Sequence, residues 1–138
     1  MICLNNEYEK IFVDKFILKS KRPRIAYELT NTKKRKTAIG RFCHNSLDYI
    51  EESKIIFAGD SISIDELNNL IKKYTNAKEC YLISWNSGID GSFLDREIAL
   101  NEIIGYGMAS IMVFKNLIVI ETEQEQGPAI KYVLLSNK

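Results

Sequence analysis

The hydrophobic period changes about a third of the way along this chain, and that change limits the folds open to it. Up to about residue 50, apolar side chains recur at steps of three and four. Tyr8, Ile11, Phe12 and Phe16 form one such stripe over about residues 7–19, a spacing that puts side chains on one face of a helix. Pro23 stands where a first helical turn tolerates it, and Ile25, Ala26 and Leu29 carry a second, shorter stripe. Ile39, Phe42, Cys43, Leu47 and Ile50 share a narrow arc of a third helix over about residues 37–50.

Beyond this point the apolar runs shorten. Lys54 to Ala58 reads as a strand closed by Gly59 and Asp60. Ser63 and Glu66 make a capping box for a helix that buries Ile64, Leu67, Ile71 and Tyr74. Cys80 to Trp85 is a second strand, rich in residue types that a pleated surface accepts. Asn86 to Gly91 is a loop with turn chemistry. Ser92 and Asp95 then start a helix carrying Leu94, Ile98, Ala99 and Ile103, which Gly105 and Gly107 end.

Ala109 to Phe114 and Leu117 to Glu123 follow as strands joined at Lys115-Asn116, a tight-hairpin spacing. A turn at Glu125 to Pro128 leads to a last strand, Ile130 to Leu135. The expected fold is therefore α+β. Three helices come first, then a β-α-β-α-β-β-β run, with the helices packed on a four- to five-stranded, mostly antiparallel sheet. No linker divides the chain, so one domain is expected over residues 1–138, helical to about residue 50 and sheet-containing from about 51.

At 138 residues the chain can bury roughly two thirds of its unfolded surface, and it needs no disulfide or metal to hold a core. Cys3, Cys43 and Cys80 are an odd set without C-x-x-C spacing, and with His44 as the only histidine they do not suggest a zinc site. They read as reduced thiols of a cytoplasmic protein. The first residues lack a basic region followed by an apolar run, so no signal peptide is expected. No stretch reaches the roughly 18 apolar residues that span a bilayer. Neither a cofactor nor a membrane partner is expected.

The formal net charge of +1 conceals a division. Residues 1–50 carry 11 Lys and Arg against 5 Asp and Glu, whereas residues 51–138 carry 8 against 13. From Lys19 to Arg41 there are nine basic residues and one acidic residue, Glu28. Within that segment Lys33, Lys34, Arg35, Lys36 and Arg41 are candidates for phosphate contact, with Tyr27 and Phe42 near enough in sequence to stack on bases. If the third helix starts near Thr37, these cations sit at its positive end. If the second helix runs on to about Thr32, they cap its C-terminus instead, where they are favoured.

The acidic half offers a different face. Glu121, Glu123 and Glu125 alternate, so on a strand all three would project to one side. Lys131 on the following strand is a possible internal partner, and a basic protein is a possible external one. Trp85, Asn86 and Asp90 form a second candidate, because an aromatic beside a polar loop at a strand end has the composition of an interface hot spot.

Chemistry is harder to place. Cys43 and His44 are neighbours on a helix, and adjacent side chains point about 100° apart, so they do not face each other. The carboxylates Asp60, Asp65, Glu66, Asp90 and Asp95 are better placed as turn and helix-start residues than as an acid–base pair. Gly105-Tyr106-Gly107 follows a helix instead of opening one, the reverse of a phosphate loop.

The expectation is a dedicated protein-binding protein, by analogy with the bacterial immunity proteins and antitoxins that neutralise a toxin by binding it. The Lys-, Ile- and Asn-rich composition fits a low-GC bacterial source. An RNA-binding protein working through Lys19 to Arg41 is the alternative, followed by a small enzyme with a hidden carboxylate site.

Overall fold

The computed structural model describes residues 6–104, 108–122 and 130–137, with only the backbone of Phe42. Among the described residues there are five α-helices and six strands, and every strand pairing is antiparallel. The α+β expectation therefore holds, with one strand more than the sequence suggested. The helices are α1 (Glu7–Phe16), α2 (Arg22–Thr30), α3 (Arg35–His44), α4 (Ile64–Lys72) and α5 (Arg96–Ile103). The strands are β1 (Ile55–Gly59), β2 (Glu79–Ser84), β3 (Phe93–Asp95), β4 (Ser110–Val113), β5 (Leu117–Glu121) and β6 (Lys131–Leu135), ordered β1-β6-β5-β4-β2-β3.

Helices cover both faces of this sheet. On one side Phe12, Phe16, Ile25, Ile39 and Cys43 of α1 to α3 pack on Tyr81, Ile83, Ile111, Val113, Ile118 and Ile120. On the other, Leu67 and Ile71 of α4 and Leu100 and Ile103 of α5 pack on Cys80, Leu82, Met112, Val119 and Val133. Alternate residues of β2, β4 and β5 thus serve opposite cores. This is why Ser110–Val113 and Leu117–Glu121 read as continuous apolar runs without the alternation of a half-exposed antiparallel strand.

Local signals account for the helix starts. Asn6 accepts from the Tyr8 amide at 2.7 Å to cap α1, and Ser63 and Glu66 form the expected capping box of α4. The third helix is shorter than its apolar pattern implies. It ends at His44, a 3-10 turn follows at Ser46–Asp48, and Leu47 is 46% exposed. Ile50 is buried by a different route, through a bridge to Ile17.

The sixth strand, β3, occupies residues assigned above to a helix start. Gly91 adopts φ 77°, a left-handed conformation that favours glycine. This turns the chain back along β2, where Gly91 donates to Leu82 O at 2.8 Å. Three residues are too few to show a period. Asp95 closes β3 and caps α5 through the Glu97 and Ile98 amides.

Candidate functional site

The start of α3 and the loop after β2 meet on one side of the molecule, and a single side chain joins them. Arg35 is the first residue of α3, and its guanidinium uses all five of its N–H donors. Nε and Nη2 reach Asp90 Oδ2 and Oδ1 at 2.7 and 2.9 Å. Nη1 and Nη2 reach Glu9 Oε1 and Oε2 at 2.7 and 3.0 Å, and Nη1 also donates to Leu29 O at 3.0 Å. One cation thereby ties α1, the end of α2, α3 and the 85–91 loop together.

The two carboxylates are held from their other sides as well. Tyr81 donates its hydroxyl proton to Glu9 Oε2, and the Ser84 amide donates to Asp90 Oδ1 at 3.0 Å. Burial disfavours the charged guanidinium, but hydrogen bonds and attraction from Asp90 and Glu9 outweigh it and raise its pKa above the ordinary value. Burial, with Glu9 as hydrogen-bond acceptor and negative neighbour, raises the Tyr81 phenol. Next to this network Tyr8, Tyr81 and Phe93 form an aromatic cluster, Phe93 lying 5.1 Å from each of the other two ring centroids.

A cleft of about 180 Å³ opens above the network, lined by Thr32, Arg35, Lys36, Ile39, Ser84, Trp85, Ser87 and Asp90. Trp85 is 39% exposed. Its ring lies against Gly40 of α3, where a Cβ would stand 3.4 Å away, and the Lys36 ammonium sits 4.7 Å from the ring centroid. Lys34 sits in the same way 5.0 Å from the ring of Tyr27. The loop itself is shaped by Asn86, whose side chain accepts from the Gly88 amide at 3.0 Å and whose carbonyl accepts from Asp90.

These positions reassign several residues singled out from sequence. Lys33 and Lys34 lie in the turn between α2 and α3, while Arg35 and Lys36 begin α3. Arg35 is not a surface cation, because its donors are saturated inside the protein. Asp90 is likewise internal, and Asn86 shapes its own loop. Arg41 donates to both oxygens of Glu28 at 2.9 and 3.0 Å. Arg22 and Arg24 also meet carboxylates, of Glu51 and Glu28, at 3.6 Å. All four arginines of the basic segment are thus paired, Arg24 while still exposed, and among the described residues the unpaired exposed charge around the start of α3 is carried by Lys33, Lys34 and Lys36.

Of the three alternating glutamates, Glu121 alone lies among the described residues, and it does not face solvent. Glu121 is fully buried, and Lys131 on the adjacent strand lies 3.7 Å from its Oε1, the internal pairing considered above. Glu123 and Glu125 lie outside the described residues, as do Cys3, Gly105 to Gly107 and the turn at Glu125 to Pro128. Cys43 and Cys80 are buried, and burial together with Asp95 pushes the Cys80 thiol up to about 12. Among the described residues no group of three or more His, Cys, Asp or Glu is arranged to hold a metal ion, and no helix is long and apolar enough to cross a membrane.

Glu9 is the site residue that sequence reasoning missed. Its signal was present, because position 9 falls three and four residues before Phe12 and Val13, on the apolar face of α1. A carboxylate on such a face calls for a buried cation. Compared with known proteins, the chain matches no protein-family model, no curated protein and no solved structure.

Proposed function

We propose that this chain is a protein-binding protein, an inhibitor of the immunity or antitoxin type that neutralises its target by docking onto it inside the cell. The observation that carries the reading is the Arg35 clamp. It fixes the 85–91 loop against α3 while the flanking Trp85 remains 39% exposed. A half-exposed tryptophan on an ordered surface suits an interface anchor. Order already present in the free protein also lowers the entropy lost on association.

The charge division supports the same reading, since a polarised surface accelerates encounter with a complementary partner. The bacterial toxin as target is the finer part of the proposal and rests on composition and on the analogy with small inhibitors. Affinity capture from the source organism tests it. The expected result is one stoichiometric partner whose own activity falls when the complex is reconstituted from purified components. Recovery of no stoichiometric partner, or a partner whose activity is unchanged in the saturated complex, overturns it.

A further inference from the structure

We propose that the docking face is the cationic and aromatic strip formed by Lys33, Lys34, Lys36 and Trp85, and that its occupant is an acidic surface of a folded protein. The inference deepens the protein-binding reading and rests on it. Lys33, Lys34 and Lys36 are exposed, and among the described residues no carboxylate pairs with any of them. Two of their ammoniums are seated on aromatic rings, which restrains long side chains before a partner arrives. The cleft beside Trp85 leaves room for a partner's side chain next to the ring.

The sign of the face is set by what the protein keeps inside. Of the acids expected on a docking surface, Asp90 and Glu121 lie among the described residues, and they are held by Arg35 and Lys131. Three of the four arginines that could fork onto phosphates, Arg22, Arg35 and Arg41, are turned inward onto Glu51, Glu9, Asp90 and Glu28, and the exposed Arg24 lies 3.6 Å from Glu28. Three lysines would release few counterions from a nucleic acid, and a base stacking on Tyr27 or Trp85 would compete with the ammonium already on that ring. Protein carboxylates can meet the three lysines while the partner buries Trp85.

Trp85 is the single tryptophan of the chain, so its emission reports on the face directly. The probes are poly-L-glutamate, oligothymidylate of matched charge and poly-L-lysine. They are titrated against the wild type and the triple variant K33E/K34E/K36E, with circular dichroism checking that the exposed substitutions leave the fold intact. Poly-L-glutamate is expected to shift Trp85 emission in a salt-dependent manner, and the triple variant to bind it on the order of tenfold more weakly. Oligothymidylate is expected to bind several-fold more weakly than poly-L-glutamate.

Four results overturn the inference: oligothymidylate binding as tightly as poly-L-glutamate, emission that answers only poly-L-lysine, emission unmoved by all three probes, or self-association of the wild type that the triple variant abolishes. A host partner captured equally well by the triple variant shows the face to be wrong while leaving the protein-binding reading in place. Capture of no partner removes that reading itself.

Discussion

Arg35 and Asp90, 55 positions apart, are joined by two hydrogen bonds of 2.7 and 2.9 Å. The contact fastens the basic first part of the chain to the acidic second part, and Glu9 holds the same guanidinium from the far side. Removing the cation leaves two shielded carboxylates facing each other. Arg35→Ala is therefore expected to lower unfolding stability by about 3–5 kcal/mol. Arg35→Lys should recover only part of this, because an ammonium cannot fork to both acids. Urea denaturation measures it, with Lys33→Ala as a surface control expected to stay within about 0.5 kcal/mol of wild type. An Arg35→Ala protein as stable as that control contradicts the account.

The buried pair Glu121 and Lys131 gives a separate test in the sheet. Each single replacement by leucine removes one member of this buried ion pair and should cost about 3–5 kcal/mol, whereas replacing both is expected to be much less harmful. A double-mutant cycle reads this as strong coupling. Strictly additive losses would mean that the two charges do not sense each other.

What the sequence made legible followed periodicity and capping. The stripes of α1 and α2 and the Ser63–Glu66 box marked real helices, and the five longer strands stood where short apolar runs placed them. Features that depend on distant pairing were hidden. The three residues of β3 are defined by hydrogen bonds to β2, and the turn from His44 to Ile50 by a bridge to Ile17. Neither leaves a local pattern. The site was half legible. Lys33 to Lys36 stand out in sequence as cations for an anionic partner and Trp85 to Asp90 as a loop of hot-spot composition, but only the fold reveals that Arg35 and Asp90 join them. Glu9 was readable in principle as an acid on an apolar face.

Alkaline pH should weaken the fold in a residue-specific way. The Tyr81 phenol is raised by burial and by Glu9, so the folded state holds its proton more tightly than the unfolded state. That stability is present below the ordinary phenol value near pH 10 and is lost as pH rises from there toward the raised value. Tyr81→Phe is expected to flatten this fall relative to wild type in denaturation series at increasing pH. An identical alkaline slope in both proteins contradicts the assignment.

Reactivity of the thiols follows the same logic. With Cys80 pushed up to about 12 and Cys43 fully buried, iodoacetamide at neutral pH should leave both unmodified in the native protein and label both in urea. Peptide mapping by mass spectrometry reads the outcome. Rapid native labelling of Cys80 would instead point to an activated thiol and revive an enzymatic reading.

A protein partner is expected to dock on the surface organised by Arg35. The direct measurement is the dissociation constant of the captured, purified partner for the wild type and for Trp85→Ala, each verified as folded. Truncating a central aromatic anchor should weaken binding by about 2 kcal/mol or more, on the order of thirtyfold. An unchanged dissociation constant would place the interface elsewhere on the molecule and contradict the claim.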